Sequence, residues 1–167
     1  MFKIIKNREN DMNLRAFEDS DVELMRKWLE ESHISKWFEH PGSWIKEIEL
    51  RAAEYSFIHH FIMEQDSHPF GFCQYYKYAE GGEEWQGTVP IDGTYSIDYL
   101  IGDTDFLSRG YGAETVKLLT ERIAVDTDAR RVIVQPEPYN LRSRNTLLSA
   151  GYVYDSRNDL YRYDIDR

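Results

Sequence analysis

Hydrophobic and polar positions alternate along "MNLRAF", Met12 to Phe17, and this period of two predicts a short strand. "EDSD" follows, offering helix caps at Asp19 or Ser20. Val22, Met25, Trp28 and Leu29 then recur at helical spacing. "EESHISKWFEHPGSW" keeps neither period and contains Pro41-Gly42, so it is expected to be irregular, with a second helix over Ile45 to Ala53. Two β-rich runs, Tyr55 to Glu64 and Pro69 to Tyr78, flank "QDSH", which reads as a hairpin turn. "AEGGEEWQGTVPIDG" is a long polar loop. Tyr95 to Ile101 is the next strand, and Gly110 to Val125 a helix with Gly112, Val116, Leu119 and Ile123 on one face. "RRVIVQPEP" is a short strand ended by prolines, and Asn140 to Ala150 is a helix stopped by Gly151. Strands around Tyr152 and from Leu160 to Asp164 close the chain.

The order β-α-α-β-β-β-α-β-α-β-β predicts an α/β (α+β) fold, a mixed sheet with helices on both faces. The 167 residues suit one domain, and no Pro/Gly/Ser-rich linker divides them. No apolar run reaches the roughly 20 residues of a membrane span. "MFKIIKNREN" lacks the apolar core of a signal peptide, so a cytoplasmic location is expected. The single cysteine, Cys73, lies in the apolar stretch "GFCQYYKY" and reads as a buried hydrophobe. The five histidines show no metal-ligand spacing, and no metal is expected. A net charge of −10 argues against nucleic acid and anionic membranes as partners and suits a cationic ligand.

Chemistry concentrates in "YSIDYLIGDTDFLSRGYGAETVKLL", Tyr95 to Leu119. Asp is depleted in strands, so Asp98 inside "YSIDYLI" calls for a reason. "RGYG" at a helix start is a phosphate cradle: glycines permit close backbone approach, first-turn amides point outward, and the helix dipole favours an anion. Neither the dinucleotide fingerprint nor the P-loop spacing is present. A second strand-to-helix junction, "YNLRSRN", brings Asn140, Arg142 and Arg144, and two such junctions in a row suit a long cofactor with several phosphates.

With "LRAFEDSDVELMRKWLEESHISKWF", "GFCQYY", "SIDYLIGDTDFLSRGYGAE" and "QPEPYNLRSRN…AGY" in this order, the chain resembles the GCN5-related N-acetyltransferases (GNAT), and within them aminoglycoside 6′-N-acetyltransferases. The resemblance implies one mixed, mostly antiparallel sheet of about six to seven strands, flanked by about four helices, with splayed central strands. It implies acetyl-CoA as acyl donor, with pantetheine along Asp98 to Ile101 (Tyr99, Leu100, Ile101). Pyrophosphate is expected on the amides of Arg109, Gly110, Tyr111, Gly112 and Ala113, with Asn140 near the pantetheine arm and Arg144 near a phosphate. Asp98 is the expected base, taking a proton from a primary amine. Trp37, Tyr75, Glu83, Glu84, Trp85 and Gln135 match the acceptor cleft. The partner implied is a small cationic amine, and the assembly a monomer or homodimer. The chain departs from the family at Leu107, usually Gln or Arg; at Leu147, often a Tyr that protonates the thiolate; and at Gln135, often Asp. Acylation of another polar amine, such as a siderophore hydroxylamine or lysine-like precursor, is the alternative. A CoA-binding module without turnover is a further one.

Overall fold

A computed structural model describes residues 12–167, so the reading of the first ten residues lies outside the described part. Seven strands form one sheet: β1 (Met12–Ala16), β2 (Ile58–Gln65), β3 (His68–Lys77), β4 (Thr94–Ile101), β5 (Arg131–Val134), β6 (Val153–Asp155) and β7 (Leu160–Asp164), in the order β1-β2-β3-β4-β5-β7-β6. Every pairing is antiparallel except β4 with β5. Among the described residues five α-helices accompany the sheet: α1 (Val22–Glu30), α2 (Ser32–Ser35), α3 (Pro41–Glu49), α4 (Tyr111–Asp126) and α5 (Leu141–Ser149).

Each sheet face has its own core, set by the alternation of side chains along a strand. Met25, Trp28 and Leu29 of α1, Ile34 of α2, and Ile45 and Ile48 of α3 pack on Ile62, Phe72 and Leu100. On the other face Val116, Leu119 and Ile123 of α4 meet Met63, Cys73, Tyr75 and Ile97. Asp98 therefore shares the α1–α3 face with Leu100, while Tyr99 packs with the α4 core.

Two stretches differ from the expectations. The segment predicted irregular carries the one-turn α2, and α3 starts at Pro41, not Ile45, ending at Glu49 rather than Ala53. Proline at the first helical position loses no hydrogen bond and has its φ already set, so Pro41 starts this helix instead of breaking the chain. His40 before it takes φ 57°, which completes the turn. Residues after α3 continue as turns, so β2 opens at Ile58 and not at Tyr55.

The site is created where the sheet splits. β4 and β5 pair only from Thr94–Arg131 to Ser96–Ile133; β4 then runs on to Ile101 while β5 stops at Val134. Gly102 N donates to Phe70 O at 2.8 Å, towards β3, and Gly93 O accepts from Arg130 N at 2.8 Å, towards β5. The alternation between those two points turns the main-chain groups of Tyr99 and Ile101 into the split.

Candidate active site

A cleft of about 510 Å³ passes through this split and joins the two faces of the sheet. Trp37, Phe38 and Trp44, from the α2–α3 region, wall one arm. Gly112 of α4 and Asn140, Ser143 and Thr146 of α5 line the other, and Asp98 stands between them.

Asp98 lies half-buried on β4, paired across β3 with Gln74. Gln74 Nε2 donates to Asp98 Oδ2 at 2.9 Å. Burial pushes the Asp98 carboxyl up to about 6; Gln74 opposes that push, and the negative charges of Glu83 and Glu47 add to it. Glu47, from α3, is itself raised, first by burial and then by Glu83. Glu83 accepts from the Tyr76 hydroxyl and, at 2.6 Å, from Trp85 Nε1. The charges of Glu47 and Glu83 thus both act on Asp98, and that of Glu83 on Glu47.

The opposite arm is built from main chain and hydroxyls. Gly110 has φ 83° as the N-cap of α4, a left-handed conformation that glycine adopts without strain. A side chain at Gly112 would meet Thr146 at 3.3 Å, so this glycine lets α4 and α5 approach as well as exposing backbone. The amides of Tyr111, Gly112 and Ala113 have no intrahelical acceptor because they belong to the first turn. Asn140 caps α5, its side chain accepting from Ser143 N at 3.1 Å. Tyr99 Oη sits 2.7 Å from Ser143 Oγ, and burial holds the phenol protonated by raising it well above its ordinary value. His33 Nε2 lies 2.9 Å from Ile101 O, from the other side of the split. Open main chain, a glycine helix start with outward amides and a through-going cleft are what a long thioester carrier with a pyrophosphate needs.

Other expected residues fall differently. Tyr75, expected in the acceptor cleft, is 3% exposed, packs on the α4 face with Phe61 and Tyr95, opposite to Asp98, and does not line the cleft. Strand alternation is the cause, and it puts Gln74 beside Asp98 instead. The Arg144 guanidinium donates to Tyr161 Oη at 2.8 Å and to Pro138 O at 3.3 Å, and Arg142 lines the cleft. Arg109 donates to Asp105 O at 3.0 Å and lies over the Tyr111 ring. The side chain of Tyr111 is buried and bonded to Gln65, leaving its amide to face outward. Trp85 packs edge-on against Tyr78 while holding Glu83, and Glu84 is exposed. Gln135 lines the cleft and donates to Asp159 O at 2.9 Å. Leu107 lines the cleft too. Leu147 is fully buried. Sequence reasoning missed Gln74, Glu47, His33 and the Tyr99–Ser143 pair; only the period-two alternation around Asp98 pointed to Gln74.

The acetyltransferase (GNAT) domain family matches residues 18–160. The chain belongs to the GNAT acetyltransferases. It is 25% identical over 158 residues to aminoglycoside N(6′)-acetyltransferase type 1 of Klebsiella pneumoniae and of Serratia marcescens, covering 90% of this chain and 78% of each relative. Its fold matches aminoglycoside acetyltransferase AAC(6′)-Ib in complex with coenzyme A and kanamycin, with a TM-score of 0.75, 22% identity and coverage of 92% of this chain and 94% of that one. It also matches the ribosomal L7/L12 α-N-protein acetyltransferase RimL in complex with coenzyme A, with a TM-score of 0.72, 15% identity and coverage of 95% and 96%. These structural likenesses establish the shared fold. As a GNAT enzyme the protein is an acetyl-CoA-dependent N-acetyltransferase. Among the described residues no helix is long and apolar enough to cross a membrane, and no group of residues with metal-ligand character gathers.

Proposed function

We propose that this GNAT enzyme acetylates a primary amine of a small polycationic acceptor, the 6′-amine of an aminoglycoside, with Asp98 as base. The observation that carries the reading is the position of Asp98, at the junction of the two cleft arms and coupled to Glu47 and Glu83. Acetyl-CoA supplies the acetyl group as a thioester activated towards amines. The main-chain groups of Tyr99 and Ile101 in the split, with the first-turn amides of α4 and the cap Asn140, are the groups that would hold it.

Asp98 first binds the acceptor's ammonium and then takes the proton it must shed to become nucleophilic. A carboxyl at about 6 is mostly ionised at neutral pH yet more basic than an exposed Asp. Main-chain N–H groups of the open strand stabilise negative charge on the acetyl oxygen. The departing sulfur takes its proton from Ser143 Oγ, which regains one from the Tyr99 hydroxyl; Tyr99 is reprotonated from solvent, to which Asp98 releases the amine's proton, and the buried Leu147 has no proton to give. Trp37, Phe38 and Trp44 supply ring faces for a cationic sugar, and Glu47 and Glu83 supply charge for its further ammonium groups.

The test is incubation with acetyl-CoA and matched aminoglycosides bearing a 6′-amine or a 6′-hydroxyl, reading free thiol and product mass. Acetylation of the amine member alone supports the assignment. Thiol release with neither, but with other polar amines, would overturn it.

A further inference from the structure

Among the described residues, three buried side-chain nitrogen or oxygen atoms lack a hydrogen-bond partner: both ring nitrogens of His60 and Oε1 of Gln74. They are neighbours. His60 on β2 pairs directly with Gln74 on β3, which pairs directly with Asp98 on β4. Directly opposed residues point to one face with Cβ atoms about 5 Å apart, so the three side chains form a polar row across three strands. His60 is 6% and Gln74 2% exposed, on a face they share with Ile62, Phe72 and Leu100 and with the hydroxyls of Tyr76 and Ser96, which are bonded to Glu83 and to Ile133 O. Unpartnered polar atoms in such surroundings are costly, and a native protein keeps them for a reason.

The row has a direction. Gln74 already donates from Nε2 to Asp98 Oδ2, so its Oε1 turns away from the carboxylate and needs a donor. Neutral imidazole has one N–H and one acceptor nitrogen. His60 is held neutral, its ring pushed down to about 4 by burial first and by the charges of Arg51 and His59 after that. We propose that His60 and Gln74 form a positioning relay behind Asp98: the two side chains are directly opposed but not bonded in this structure, a rotation of the His60 ring brings its N–H onto Gln74 Oε1, and the amide so oriented holds Asp98 Oδ2, leaving Oδ1 to the acceptor. Without the imidazole donor the amide is free to flip, which would set its oxygen against the carboxylate. The charged groups acting on Asp98 are Glu83, from the loop after β3, and Glu47, from α3; the Tyr76 phenol, on Glu83, also lies in this field. Glu83 and Glu47 disfavour the carboxylate, and Gln74 favours it.

The inference rests on the reading of Asp98 as base, and its test separates the two. Gln74→Met keeps length and loses the donor. His60→Phe keeps shape and loses the N–H, whereas His60→Gln restores one. Two readouts are used on folded, CoA-binding protein: the pH profile of kcat/KM, and titration of the Asp98 carboxyl by carbon-13 NMR without substrate. Gln74→Met should move both midpoints up by about one pH unit, with turnover at pH 6 falling about fivefold relative to the parent. His60→Phe should move them less in the same direction, and His60→Gln should return them. Should Gln74→Met fail to fold, the two His60 variants make the same comparison one strand further out. Parental midpoints in His60→Phe would overturn the relay. If Asp98 is not the base, Asp98→Asn keeps its turnover while the NMR titrations still report on the relay.

Discussion

Asp98 has two consequences at the scale of a single residue. Asp98→Asn should leave acetyl-CoA affinity nearly unchanged, because β4 offers its main chain to the carrier, and should reduce turnover by about two to four orders of magnitude, the usual loss with a general base. Isothermal titration with CoA and steady-state rates check both. In the parent, activity should rise with pH through about 6 as the carboxyl ionises. The same shift acts on stability with a definite sign. The folded carboxyl holds its proton more tightly than the ordinary 3.8, so the group favours folding at low pH and that contribution is lost as pH rises through about 6. Asp98→Asn should therefore melt above the parent at pH 8, with the gain shrinking below pH 4 in paired calorimetric scans. Ser143→Ala should lower kcat by about tenfold or more with CoA affinity kept, because Tyr99 Oη then loses its 2.7 Å partner. A poorer loss with an activated acyl thioester, whose thiolate needs no proton, is the diagnostic pattern.

At the scale of elements, the junction of α4 and α5 carries the cofactor arm. A valine at Gly112 must displace Thr146, since even a Cβ would stand 3.3 Å from it. Gly112→Val should weaken CoA binding strongly and also lower the melting temperature. Adding Thr146→Ala should recover part of the stability and little of the affinity, because space between helices is restored but backbone approach stays blocked. Equal recovery of both would mean that Gly112 serves packing alone. Two elements on the other face were hard to read in advance. α2 is a single turn, too short to show a period, and Pro41 punctuates the chain equally well as a breaker or as a helix start. What separates these is Trp44, Ile45 and Ile48 finding α1 and the sheet to pack against.

At the scale of the molecule, the net charge of −10 becomes specific only where Glu47, Glu83 and Asp98 converge. KM for a polycationic acceptor should rise several-fold between low and about 0.5 M salt while KM for acetyl-CoA changes less, and Glu83→Gln should flatten that dependence. Rates across a salt series test it. The chain by itself determined the order of elements apart from the one-turn α2, because strand and helix periods and the glycine and proline stops are local properties. It also singled out Asp98 and the "RGYG" helix start, since a carboxylate in a β-favouring run and glycines at a cap are visible without partners. The resemblance to GNAT enzymes rested on those residues in their order. Which side chains join Asp98 was decided by tertiary structure alone. Gln74 and Tyr75 are adjacent in the chain and look equally suited to a cleft, yet strand pairing sends Tyr75 into the α4 core and Gln74 to the carboxylate. His60, Glu47 and Ser143 come from three elements whose separation along the chain hides their meeting. Register and helix docking are non-local, so the grouping of these residues, and with it the chemistry of the cleft, exists only once β2, β3 and β4 have paired and α3 and α5 have closed over the split.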